Sequence, residues 1–178
     1  MNPNPNKKSF PERVEIVEVG PRDGLQNESE WVPTEMKIEL INRLAASGIR
    51  TIEAASFVSP KWIPQMKDSL EVMKGIQRNS SIRYPVLTPN LKGLERALEA
   101  GAEEVAVFAA ASEAFSQKNI NCSISESIER FRPLIQEASE SRHSHCSCLQ
   151  PDAVARAASP GFCRRGSAGA LSNAASDW

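Results

Sequence analysis

The feature that most constrains this chain is a strict alternation. A short β-branched run is followed by an amphipathic stretch, four times over between residues 13 and 138. Val14, Ile16, Val17 and Val19 predict a first strand, bounded by Gly20 and Pro21. The stretch 34-TEMKIELINRLAASG-48 predicts a helix with Thr34 as N-cap and Gly48 as stop; its expected buried stripe is Met36, Ile38, Leu40, Ile41 and Leu44. Strands are expected at 49–57 and 82–87, separated by a helix at 65–76 that buries Met66, Leu70 and Met73. A helix at 91–101, capped by Thr88 or Asn90, leads to a fourth strand at 103–111. The last unit ends in a helix at 123–138, where Ser123 and Glu126 form a capping-box pattern and Pro133 is expected to perturb the coil.

Such alternation requires a parallel sheet with right-handed crossovers. A doubly wound dinucleotide fold would place G-x-G-x-x-G after the first strand, and GPRDGLQ does not supply it. The expected fold is therefore α/β, the N-terminal half of a (β/α)8 TIM barrel made of four β-α units. Residues 1–12 read as a flexible N-terminus and 13–138 as the partial barrel. From 139 to 178 the apolar period fails and Ser, Ala, Arg, Cys and Gly dominate, so that segment reads as an irregular, disordered tail with no fifth strand.

Charge narrows the partners. With 21 Lys and Arg against 22 Asp and Glu, there is no basic excess for nucleic-acid phosphates. No apolar run approaches a membrane span. The opening MNPNPNKKSFPERV lacks the apolar core of a secretory signal, so a cytoplasmic protein without disulfides is expected. Three of the four cysteines (Cys146, Cys148 and Cys163) and both histidines (His143 and His145) fall in the tail.

Parallel α/β folds place their chemistry at the C-terminal ends of the strands. Collected here, those ends supply Arg22, Asp23 and Gln26, then Glu53 and Ser56, then Thr88 and Asn90, then Ser112. Two acids and an arginine suit a hard divalent cation and an anionic, oxygen-rich substrate. On spacing alone an equally weighted reading makes Asp23-Gly24 a surface turn and Glu53 a strand-end charge.

Four strings tip that balance. VEVGPRDGLQNE, SFVSPKW at 56–62, YPVLTPNLKG at 84–93 and KNINCSI at 118–124 resemble, in order, motifs of the 3-hydroxy-3-methylglutaryl-CoA lyases. The resemblance implies a barrel that cleaves 3-hydroxy-3-methylglutaryl-CoA into acetyl-CoA and acetoacetate with Mg2+ or Mn2+. It implies that Asp23 is a metal ligand, that Arg22 stabilises the departing enolate, and that Gln26 and Glu53 orient the substrate. Asn119 and Asn121, in KNINCSI, are implied at the coenzyme A end, with Cys122 a small packed residue rather than a nucleophile. An oligomer is allowed for a full-length relative. The nearest alternatives are another metal-dependent aldolase or acyltransferase barrel acting on an oxoacid, and a non-catalytic half-barrel fragment.

The resemblance also implies a His-x-His pair near the sixth strand, an Asn on the seventh and a Cys in a glycine-rich loop. His143-Ser144-His145 directly follows the last helix, so it is not read as that pair. With Cys146 and Cys148 it does not complete a zinc motif either. The expectation is therefore a truncated, inactive member with an unrelated tail. A shifted reading frame is one origin for such a tail: codons for Ser-Arg-His-Ser-His, read one base later, can spell Ala-Gly-Ile-Pro-Ile, which resembles a family fifth strand.

Overall fold

In a computed structural model, residues 13–108, 110, 112–140 and 145–148 are described. The elements run β1 (Val17–Glu18), α1 (Thr34–Ala46), β2 (Thr51–Ile52), β3 (Ala55–Ser56), α2 (Ser69–Gly75), β4 (Val86–Leu87), α3 (Leu91–Glu99), β5 (Glu104–Val107), α4 (Glu113–Ile120), α5 (Ile124–Glu140) and β6 (His145–Cys148). All pairings are parallel, in the order β1-β2 and β3-β4-β5-β6. β2 and β3 are two parts of one extended segment. The Glu53 amide donates to the Glu18 carbonyl on one side, and the Ala54 amide donates to Pro85 on the other. Neighbours in sequence are thus neighbours in space throughout. A doubly wound sheet needs a reversal of strand order, and none occurs among the described residues, so the order is that of a barrel wall.

The core lies between this wall and its helices. Ile41, Ile52, Met73, Val86, Leu94, Val105 and Leu134 are all buried in one cluster. Gly48 and Gly101 end their helices at positive φ, 95° and 69°, as their positions in the sequence predict. Gly93 has a different role: a Cβ there would lie 2.9 Å from the Phe57 carbonyl oxygen, so its absence lets α3 close on the end of β3.

Several expectations change. Met36 is 60% exposed; the buried line of α1 is Lys37 and Ile41, flanked by Ile38, Leu44 and Ala45. Ile41 lies five positions beyond Met36, which puts them well apart around a helix of 3.6 residues per turn. Val14 and Ile16 are exposed, and pairing in the first strand is confined to two residues. α4 had no sequence signal, being short and without a clear apolar stripe. α5 runs through Pro133 without ending.

The largest difference is β6. Residues 145–148, expected within an irregular tail, pair in register with the whole of β5, from Glu104↔His145 to Val107↔Cys148. The physical reason is main-chain. β5 presents an open edge, α5 returns the chain to it, and ladder hydrogen bonds need no particular side chain. His143 and residues 149–178 lie outside the described residues.

Candidate active site

The GPRDG sequence folds as one wide helical turn at the C-terminal end of β1. The amides of Arg22, Asp23 and Gly24 all converge on the Val19 carbonyl, at 3.1, 2.6 and 3.4 Å. Turns this wide are rare and recur at functional sites. Pro21 at its start has no amide to leave unpaired. The coil continues through Asn27, whose Nδ2 donates to the Asp23 carbonyl at 2.7 Å, and through Glu28, whose amide donates to Leu25.

This turn aims Arg22 at the next strand end. Its Nη2 donates to Glu53 Oε2 at 2.7 Å, and its Nη1 donates to Asp23 Oδ1 at 2.5 Å. Burial differs along the row: Glu53 is fully buried, Arg22 partly buried, and the Asp23 side chain 54% exposed. Burial pushes the Glu53 carboxyl above its ordinary pKa. Arg22 opposes the shift, and the charge of Asp23 adds a smaller upward push.

The row is also incompletely bonded. Arg22 Nε, Glu53 Oε1 and Ser56 Oγ are buried with no hydrogen-bond partner. Buried polar atoms are nearly always paired, and the unpaired atoms of Arg22 and Glu53 leave that ion pair able to take a further partner; Ser116 Oγ in α4 is likewise buried and unpartnered. Asp23 offers oxygen to solvent beside a cation. That donor chemistry fits one face of a hard divalent ion. Among the described residues, no group of three or more His, Cys, Asp or Glu is arranged to hold a metal.

The structure therefore brings Arg22, Asp23 and Glu53 together as expected from the sequence, with Gln26 half-buried one turn further along the same coil. Other candidates have structural duties. Asn90 caps α3 by accepting from the Gly93 amide at 2.9 Å, and Ser112 caps α4 by accepting from Phe115 at 3.3 Å. Thr88 is fully buried, its hydroxyl 3.5 Å from the Ala106 carbonyl. Asn121 ends α4 in the left-handed conformation, φ 48°, and Cys122 is buried as a free thiol. The side chain of Asn119 lies outside the described residues. Ser56 ends β3 and is fully buried, with its hydroxyl unbonded. Its signal is the pairing of full burial with an unbonded hydroxyl, which only coordinates reveal.

Residues 13–159 match the HMGL-like family, which is most of the chain. The chain belongs to the HMGL-like family. This HMGL-like chain is 60% identical over 130 residues to the mitochondrial hydroxymethylglutaryl-CoA lyase of Bos taurus, covering 73% of itself and 40% of that protein. It is 62% identical over 129 residues to the cytoplasmic 3-hydroxy-3-methylglutaryl-CoA lyase of Mus musculus, covering 72% of itself and 38% of that protein. The crystal structure of hydroxymethylglutaryl-CoA lyase from Pseudomonas aeruginosa superimposes with a TM-score of 0.73 at 54% identity, over 78% of this chain and 46% of that one. The chain thus spans less than half the length of these relatives. Its sequential parallel sheet is the partial (β/α)8 barrel expected from the alternation.

Proposed function

We propose that this chain carries one side of a site for the retro-Claisen cleavage of 3-hydroxy-3-methylglutaryl-CoA. In that reaction the tertiary hydroxyl gives up its proton, the adjacent C–C bond breaks, and the bonding pair leaves on acetyl-CoA as an enolate. Acetoacetate forms from the carbon that bore the hydroxyl, and protonation of the enolate completes acetyl-CoA. The observation that carries the reading is the Arg22–Glu53–Asp23 row at the strand ends, with its unpaired buried atoms.

Arg22 neutralises the charge that develops on the enolate, a task suited to a guanidinium held rigidly in a dry setting. Glu53 fixes that guanidinium through Oε2. Its Oε1 has no hydrogen-bond partner and burial raises the carboxyl's pKa, which supports a role in exchanging a hydrogen bond with substrate. Asp23 would hold a divalent ion, Mg2+ or Mn2+; when bound, that ion polarises the hydroxyl and carboxylate oxygens of the substrate. Gln26 orients the substrate beside it, and Asn119 and Asn121 contact the coenzyme A end. The cytoplasm is the proposed location, supported by the cytoplasmic mouse relative.

The chain alone is proposed to be inactive, because no group of three or more His, Cys, Asp or Glu among the described residues is arranged to hold a metal at Asp23. Incubating the purified chain with substrate and Mg2+ tests this directly: no acetoacetate is expected. Adding the C-terminal remainder of the Pseudomonas lyase as a second polypeptide should restore release. Lyase-like turnover by the chain alone would overturn the claim of inactivity. A stable complex of the two pieces that releases nothing would overturn the proposed function.

A further inference from the structure

The coil that carries Arg22, Asp23 and Gln26 has an exposed problem at its far end. A helical coil leaves its last carbonyls without amide partners, and an unheld end frays. Here the end is held by a side chain thirty-seven residues away. Gln65 Nε2 donates to the Glu28 carbonyl at 2.9 Å and to the Glu30 carbonyl at 2.5 Å, while its Oε1 accepts from the Val32 amide at 3.3 Å. Each polar atom of this buried amide is committed to the backbone of 28–32.

The holder is itself anchored. The Gln65 carbonyl accepts from Lys37 Nζ at 2.5 Å, and Lys37 also donates to Asp68 Oδ1 at 2.7 Å. Asp68 Oδ2 accepts from Thr34 Oγ1 at 2.8 Å, at the start of α1. The ammonium of Lys37 lies 4.0 Å from the ring centroid of Trp31, so the same loop is gripped from a second direction. Next to Gln65, Met66 is buried in a small apolar cluster with Val58 and Leu87, against which Leu25 of the coil packs.

We propose that Gln65, anchored by Lys37 and Asp68, is a positioning residue that fixes the Arg22–Asp23 turn from the C-terminal end of its coil. It reaches the turn through an unbroken path: Glu28 to Leu25, Asn27 to Gly24 and Asp23, then Asp23 and Arg22 to Val19. It touches no reacting group itself. The inference rests on the catalytic reading of Arg22 and Asp23, but the clasp can be tested without substrate or metal.

The test is residue-resolved amide hydrogen exchange on the whole chain, comparing the unmodified protein with Gln65→Leu. Exchange is expected to rise about tenfold at the Asp23 and Gly24 amides as well as at Val32, the equivalent of one lost hydrogen bond. The α3 amides should keep their protection. Faster exchange confined to 28–32, or a uniform rise that includes α3, would overturn the proposal by reducing Gln65 to a loop tie or a general stabiliser. A second measurement needs no variant: in the unmodified chain at low denaturant, Val32 and Asp23 should open with the same free energy. Protection differing by more than about tenfold between them would contradict a shared unit. These outcomes are separate from acetoacetate release, so the clasp and the proposed function can fail independently.

Discussion

Two ion pairs, one buried between α1 and α2 and one partly buried at the strands, are bonded in opposite ways. Lys37 and Asp68 form a closed set: both carboxylate oxygens accept, and the ammonium is divided between Asp68, the Gln65 carbonyl and the Trp31 ring. Arg22 and Glu53 form an open one, with Nε and Oε1 buried and unpartnered. A satisfied buried pair fixes geometry; an unsatisfied one carries a desolvation cost that only a further partner offsets. The closed pair holds the chain, and the open pair is left able to take a further partner.

The contrast breaks most visibly at Lys37. Lys37→Met strands Asp68 in the interior and is expected to cost about 3–5 kcal/mol, read as a fall in the urea midpoint. Replacing Asp68 with Leu in the same chain should recover most of that loss. Glu53→Gln is expected to shift stability at neutral pH by only about 1 kcal/mol, because the amide can still accept from Arg22 and the carboxylate's desolvation is relieved. Similar losses at both pairs would erase the distinction between them.

Titration sharpens it further. The Glu53 carboxyl has a pKa raised above its ordinary 4.5, so the folded state holds its proton more tightly than the unfolded one. Its contribution favours folding fully below about 4.5 and is lost as pH rises through the raised folded value. The stability difference between the unmodified chain and Glu53→Gln should therefore move against the unmodified chain as pH increases from 4.5 through that window. A flat difference in pH-dependent urea unfolding would deny that Glu53 is desolvated. The smallest effect belongs to Asp23, whose side chain is half exposed. Asp23→Asn should leave stability within about 0.5 kcal/mol while weakening Mn2+ binding, followed by electron paramagnetic resonance, in the barrel completed with the Pseudomonas remainder.

How far the sequence foretold this depends on the kind of signal. Alternation and glycine stops are local, and they yielded the parallel sheet, α1, α3 and α5 near their observed places. The Arg22–Asp23–Glu53 row was also legible, because strand-end polarity and the GPRDGLQNE string both pointed there. The clasp was not. Lys37 stands outside the apolar stripe that the sequence predicts for α1, since a lysine is normally solvated and only the partnership with Asp68 and Trp31 permits its burial. Gln65 acts across thirty-odd residues, a relation no local pattern encodes. β6 escaped for the same reason: the edge of β5 supports the pairing, whereas HCSC has no apolar strand pattern.

The central claim is that the open pair is catalytic, and Arg22 is where it is most exposed to test. In the barrel completed with the Pseudomonas remainder, the rate of acetoacetate release by Arg22→Met should be compared with that of the unmodified chain at saturating substrate. A loss of about a hundredfold or more is predicted, with both proteins compared under conditions where they are folded. A rate within a few-fold of the unmodified protein would contradict the account.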